Sequence, residues 1–455
     1  MSWYQEPSDG VTQLTDLMQH EKLVEKPELD PGVVRRRRRR GLLIGGIITV
    51  VVLALTGGYV GYTLTAPVGA AESTSEVPEV AAPAPATLAM SPEGASAITV
   101  LGGDDYLPPE ASGLWATAGG NDARPIASIS KLITALVILS KHPLASADDP
   151  GPNITFSKTD HALYDKYYVL GATIAAMPTG ITMSENQALQ AMLIPSASNY
   201  AEAMATWAFG SNGAFVSATQ TWLAANGLTS TRIVEPTGID ARNTSTPTDL
   251  MALARIAMAN PAIVQIAAMP ALAVPGIDEM ANTNTLLGTD GVTGLKTGTL
   301  TDNSNLLFTA TLDVGTPEPL TVIGVVAGAF SHDSANRDVI AMLDSLKAGF
   351  HDVPVGQQDQ VVGTYTTPWG ESAQMVLEAD ASIFTWSDTP ITATMETTTL
   401  TTGKKGDEVG SVTWTAGPNT VTVPIVLDSG ISPPDQWWRL THPFELGYGA
   451  ESTSR

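Results

Sequence analysis

Six arginines, Arg35 to Arg40, stand directly before an uncharged and largely apolar run that extends from Gly41 to Tyr62. About twenty such residues are enough to span a bilayer as one helix. Arginines at one end fix its direction, with residues 1–40 inside and everything after about Leu64 outside. The rival reading is a secretory signal peptide, with Val68-Gly69-Ala70 as its cleavage site. A long polar segment precedes the run, however, and the apolar core exceeds the ~7–15 residues of a signal sequence. The sequence therefore predicts a single-pass membrane chain: a cytoplasmic, polar and disordered tail (1–40), a transmembrane helix (41–64) and an extracytoplasmic remainder.

That remainder divides by composition. Residues 65–95 are rich in Ala, Pro, Glu, Ser and Thr and read as an extended linker. With 455 residues and 43% hydrophobic content, the chain can bury two cores beyond it. A formal net charge of −23 argues against a nucleic-acid partner. The absence of cysteine excludes disulfides, thiolate catalysis and cysteine zinc sites. The six histidines (His20, His142, His161, His332, His351, His442) show no metal-ligand spacing, so neither a metal nor an organic cofactor is expected. His332-Asp333 precedes a predicted helix, Ala335 to Leu346, for which Asp333 or Ser334 is the expected N-cap.

Chemistry first appears in Pro125-Ile-Ala-Ser-Ile-Ser-Lys-Leu-Ile-Thr-Ala-Leu-Val. Ser128 and Lys131 are three apart, which on a helix puts them on one face. Ile126, Ile129, Ile133, Leu136 and Val137 would bury the segment, and burial disfavours the charged form of a lysine. A neutral amine beside a hydroxyl is a base beside a nucleophile. Ser128 also falls near the first helical turn, where free N–H groups favour developing negative charge.

Further on, Thr182 with Glu185 or Ser184 with Gln187 forms a capping box ahead of a helix at Ala188. That helix breaks at Pro195-Ser-Ala-Ser-Asn, and another begins near Tyr200. Ser196, Ser198 and Asn199 at such a junction are ordinarily caps and turn formers. Helices are also predicted over 214–225 and 249–259. Asn305 to Leu312 and Leu320 to Ala327 read as adjacent antiparallel strands. Lys296, Thr297, Gly298 and Thr299 fall on or just before a sheet edge, where Gly298 permits close approach of a backbone or ligand.

Ser-x-x-Lys, a Ser-x-Asn-like turn between helices and Lys-Thr-Gly at a strand occur in the order found in penicillin-binding proteins and class A β-lactamases. With Met192-Leu-Ile-Pro-Ser-Ala-Ser-Asn, Glu235-Pro-Thr-Gly-Ile-Asp and Gly294-Leu-Lys-Thr-Gly-Thr, the chain from about Ser96 to Gly349 resembles the low-molecular-mass penicillin-binding proteins, which are serine D-alanyl-D-alanine carboxypeptidases. The resemblance implies an α/β (α+β) domain over 96–352, an antiparallel sheet flanked by helices with a helical subdomain. It also implies roles: Ser128 as nucleophile, Lys131 as base and Ser196 as proton relay to the leaving D-alanine. Lys296, Thr297 and Thr299 would hold the terminal carboxylate, and the backbone N–H groups of Ser128 and Thr299 would form an oxyanion hole. The implied partners are a peptidoglycan stem peptide ending in D-Ala-D-Ala and, as covalent inhibitors, β-lactams. The chain departs from the family pattern at Ser198, where Asn is usual, with Asn199 one residue later. A serine is too short for the same amide contact with substrate.

After Phe350 helical periodicity disappears, and 353–455 reads as a small all-β domain. Trp437-Trp438-Arg439 is expected to pack in its core rather than form a binding patch. Two other functions share these features. One is a β-lactamase-like hydrolase, and the other is a catalytically impaired wall-binding protein in which Ser198 marks decay of the site.

Overall fold

The computed structural model describes residues 30–81, 83–301 and 303–447. Residues 1–29, most of the expected inner tail, lie outside them. The first helix, α1 (Pro31–Thr65), carries both the arginines and the apolar run, and no residue of its most apolar stretch is buried. It is long and apolar enough to cross a membrane.

The chain then enters a five-stranded antiparallel sheet made from β2 (Ala95–Leu101), β3 (Ala116–Ala118), β4 (Val292–Leu300), β5 (Asn303–Leu312) and β6 (Leu320–Ala329). A preceding strand, β1 (Glu72–Ser75), belongs to a different sheet. The order is β4-β5-β6-β2-β3, which makes the Lys-Thr-Gly strand an edge. Successive side chains of a strand point to opposite faces, and here both faces are apolar. On β6, Ile323, Val325 and Ala327 face one core while Val322 and Val326 face the other. The sheet is thus the middle of three layers.

Helices α2 (Ser130–Lys141), α3 (Lys158–Val169), α4 (Glu185–Leu193), α5 (Ser198–Phe209), α6 (Asn212–Ala225), α7 (Pro247–Met258) and α8 (Pro261–Ala267) lie between β3 and β4 in the chain. They contribute most of the first core. The last helix of this domain, α9 (His332–Ala348), covers the opposite face. Of the two capping boxes offered for α4, the chain uses Ser184 with Gln187. Helix α3 was not predicted: it carries little apolar periodicity, and its own capping box of Ser157 with Asp160 marks its start. The cap of α9 is Ser331, not Asp333 or Ser334. The Ser331 side chain accepts from Ser334 N, so His332 becomes the first helical residue.

Beyond α9 comes the expected β-rich unit. Strands β7 (Phe350–Gly356) and β10 (Ala381–Trp386) pair with each other. The second sheet adds β8 (Val361–Thr366), β9 (Ser372–Leu377), β11 (Thr392–Thr397), β12 (Glu408–Ala416) and β13 (Asn419–Leu427), in the order β1-β8-β9-β13-β12-β11. The segment after α1 is therefore fastened, because β1 pairs antiparallel with β8 from Glu72↔Thr366 to Ser75↔Gly363. Ala86, Leu88 and Met90 further along pack on the core beneath α9. The tryptophan pair does not join the β core. Trp437 and Trp438 sit on a short helix, α10 (Gln436–Thr441), and Trp437 is 73% exposed. This helix returns to the C-terminal end of α1, where Arg439 Nη1 donates to Ala66 O (2.8 Å) and Tyr59 Oη donates to Leu440 O (2.6 Å). Nothing in the local pattern of Trp437-Trp438 distinguishes a sheet from a contact between segments 373 to 381 positions apart.

Candidate active site

Ser128 sits in one 3-10 turn, Ala127–Ile129, that runs directly into α2. Ile126, Ile129, Ile133, Leu136 and Val137 are all buried, as their spacing predicts. The turn is strained, because Ala127 has φ of 49°. A non-glycine residue in that region costs on the order of 1–3 kcal/mol and persists only where its surroundings hold it. Here Ile126 N donates to Asn243 O (3.0 Å), Asn305 Nδ2 to Pro125 O (3.2 Å) and Asn243 Nδ2 to Ser130 Oγ (3.1 Å). Two glycines let other backbones close on the turn. A Cβ on Gly238 would lie 1.9 Å from Ala127 O, and one on Gly298 would lie 2.6 Å from Ile126 O and 3.2 Å from Ser128 N. Strand β4 thus runs against the Ser128 amide.

Lys131 is 1% exposed, and its Nζ donates to Ser128 Oγ (2.9 Å) and to Thr237 O (2.8 Å). The Thr237 carbonyl is presented by a loop wound around the Glu235 carboxylate. That carboxylate accepts from Thr237 N and Oγ1 (both 2.7 Å), Gly238 N (2.6 Å) and Asn243 Nδ2 (3.0 Å). Burial pulls the Lys131 amine down from 10.5 to about 7, against the opposing charge of Glu235. An unperturbed lysine is neutral in roughly 0.04% of molecules at pH 7, so burial raises the base form about a thousandfold.

Lys296 on β4 is also buried, and its pKa is held well below the ordinary value by burial first and then by the positive charge of Lys131. Its Nζ donates to Thr283 Oγ1 (3.3 Å), which also receives the Thr297 hydroxyl (2.6 Å). Thr283 N donates to Ile194 O (3.2 Å), which ties this pair to the turn carrying Ser196. Ser196 has φ of 68°, and its buried Oγ has no hydrogen-bond partner among the described residues. Buried hydroxyls are normally partnered.

Ser198 opens α5, is buried, and donates from its N–H to Thr173 O (2.8 Å). Asn199 does not serve as a substitute for the motif amide. Its Oδ1 accepts from Ala175 N (3.1 Å) and its Nδ2 donates to Ala175 O (2.8 Å), so both ends of the amide are used as a clip on the 173–176 loop. Successive residues of a helix point about 100° apart, which turns Asn199 away when Ser198 occupies the motif position. Replacing Asn199 with Leu would leave two buried backbone groups unpaired and is expected to cost about 2–4 kcal/mol in urea unfolding, with no loss of the Ser128–Lys131 pair.

Reasoning from sequence missed the supporting residues. Glu235 and Thr237 lay in a quoted motif, yet their role in aiming a carbonyl at Lys131 was not readable from it. Thr283 offered no signal. His332 was set aside because it lacks metal spacing, but its Nε2 is hydrogen-bonded to Thr299 Oγ1. Among the described residues no cluster of His and carboxylates fits a metal ion.

Residues 115–331 match the family model described as D-alanyl-D-alanine carboxypeptidase. A D-alanyl-D-alanine endopeptidase of Pseudomonas aeruginosa is 36% identical over 130 residues, 28% of this chain and 38% of that protein. One of Escherichia coli is 31% identical over 144 residues, 31% of this chain and 43% of that protein. The chain thus spans about two fifths of the length of these curated relatives. Penicillin binding protein 6B of Escherichia coli has a similar fold, with TM-score 0.50 and 20% identity over 73% of this chain and 94% of that one. Residues 115–331, with Ser128 and Lys131 near one end and the Lys296–Thr299 edge strand near the other, thus match the D-alanyl-D-alanine carboxypeptidase family of serine peptidases.

Proposed function

We propose that this chain is a membrane-anchored, extracytoplasmic serine carboxypeptidase that removes the terminal D-alanine from peptidoglycan stem peptides. The observation that carries the reading is the buried Lys131 amine 2.9 Å from Ser128 Oγ, with a pKa of about 7. Neutral Lys131 takes the proton as Ser128 Oγ attacks the carbonyl between the last two alanines. The negative charge that develops on the carbonyl oxygen falls between the N–H of Ser128 and that of Thr299, which the missing side chain of Gly298 lets approach. Ser196 passes the proton to the departing amine. Water then cleaves the acyl-serine ester, with Lys131 again the base. A substrate carboxylate beside Lys296 would restore the charge that burial and Lys131 discourage there, which favours substrates with a free terminus. β-Lactams would acylate the same serine.

Anchoring is supported by α1 and by the return of α10 to its outer end. The arginines favour an inside N-terminus and place the catalytic and β-rich domains outside.

A second reading is favoured by the two curated relatives, both endopeptidases, which would make the substrate a cross-linked peptide. One experiment separates the two. The full chain in detergent is given a pentapeptide ending in D-Ala-D-Ala and, separately, a cross-linked dimer, and released D-alanine and released monomers are counted. Release of D-alanine that disappears in Ser128→Ala is the expected result. Cleavage of the dimer alone would move the assignment to endopeptidase, and unchanged release in Ser128→Ala would overturn the serine mechanism.

A further inference from the structure

Thr299 stands at the end of the Lys-Thr-Gly-Thr strand, and its hydroxyl has one proton to give. The residue opposite is His332, whose Nε2 is hydrogen-bonded to Thr299 Oγ1. Capping at Ser331 makes His332 the first residue of α9, and α9 packs against β5 and β6, beside β4, so the imidazole reaches the edge strand. An imidazole can take either role in such a bond. As a neutral acceptor it receives the Thr299 proton and leaves oxygen lone pairs facing the cleft. As a cation it donates to Thr299 Oγ1, and the threonine proton is then free to point at a ligand.

We propose that His332 is a positioning residue that decides where the Thr299 hydroxyl directs its proton, and thereby makes recognition of a free substrate carboxylate depend on protonation. This rests on the carboxypeptidase reading above and deepens it. The charged groups around the ring are Lys296 from β4 and Asp333 from its own helix. Glu93, from the segment before β2, is turned instead to Phe330 N (2.9 Å) and Ser334 Oγ (3.0 Å). Burial and then Lys296 lower the His332 pKa below its usual 6.5, against Asp333. At neutral pH the ring is therefore mainly uncharged and able to accept. An arriving carboxylate offsets the charge of Lys296 and stabilises the cation, so proton uptake and carboxylate binding assist each other.

The test compares two substrates of the full chain from pH 5 to pH 8: a peptide ending in D-Ala-D-Ala and the same peptide as its C-terminal amide. For the acid, KM is expected to rise about tenfold as pH increases through the His332 titration, the worth of one hydrogen bond to a charged acceptor. For the amide, KM is expected to stay flat. His332→Gln keeps a side-chain amide near Thr299 without a titrating group, and it should remove the pH dependence of the ratio of the two KM values. Its kcat profile, governed by Lys131, should be unchanged. A ratio that still changes with pH in His332→Gln, or that is flat in the parent, would overturn the proposal. If neither peptide is hydrolysed, the carboxypeptidase reading fails separately. The same ratio is then read from acylation rates of benzylpenicillin and its methyl ester, which do not require the acyl-serine to be hydrolysed; a pH-independent ratio, or no acylation, would overturn it there.

Discussion

A Lys131→Met chain is expected to lose turnover by roughly 10³–10⁴-fold, since Ser128 Oγ would have no base within reach. The same substitution is expected to make the folded chain more heat-resistant at low pH. The sign follows from burial. The Lys131 amine titrates at about 7 in the folded chain and near 10.5 when unfolded. Below about pH 7 both states bind the proton, and the folded state carries the full cost of a buried cation. Between about 7 and 10.5 the unfolded chain binds more protons, so stability attributable to this group rises with pH and falls again as pH drops towards 7. Methionine has a similar shape and no charge, so it removes that cost. It also removes two hydrogen bonds, to Ser128 Oγ and Thr237 O, a loss that is independent of pH in this range. The difference in Tm, variant minus parent, should therefore be largest below pH 7 and shrink steadily towards pH 10. A difference that stays level across that range would mean that Lys131 is not held neutral by burial. In the parent, kcat/KM should rise with pH up to about 7 and then level off, as the neutral amine becomes the dominant form.

Local chemistry made part of this site legible. Ser128 and Lys131 were readable because a helix fixes the geometry of residues three apart, and the surrounding isoleucines declared the burial that makes the amine a base. The Lys296–Thr299 stretch was readable as lying on or just before a sheet edge because two long apolar runs, β5 and β6, follow it. Contacts that join distant segments were not readable. Thr237 O reaches Lys131 from 106 positions away, and Asn243 Nδ2 reaches Ser130 from 113. Asn199 shows the limit from the other side. Sequence left open whether it replaces the motif amide, and only its two bonds to Ala175 show that it is committed to a loop. One pairing within the linker was unreadable for a related reason. Glu72-Ser-Thr-Ser is too short and too polar to announce a strand, and it becomes one only because the edge of β8 lies free to pair with it.

Gly298→Ala is expected to reduce kcat/KM by roughly 10²–10³-fold while costing only about 1–3 kcal/mol of stability. The added Cβ would sit 2.6 Å from Ile126 O and 3.2 Å from both Ala127 Cβ and Ser128 N. All three belong to a turn that cannot retreat. Ile126 N is bonded to Asn243 O, Pro125 O is held by Asn305, and Ala127 is already at φ of 49°. The edge strand can move, because β4 is paired on one side only, through Gly298↔Asn305 and Thr299↔Ser304. Strand β4 should therefore tilt outwards by several tenths of an ångström, carrying Thr299 N away from Ser128 N. Two donors aimed at one oxygen lose much of their effect when their separation grows, because hydrogen bonds weaken steeply with distance and angle. Ser128 and Lys131 are untouched by this change, so the pH profile should keep its rise up to about 7 while the plateau falls. Acylation by a β-lactam should slow in parallel with peptide turnover, since both place a developing oxyanion between the same N–H groups. A Gly298→Ala chain with normal acylation and turnover would show that β4 does not supply the second donor.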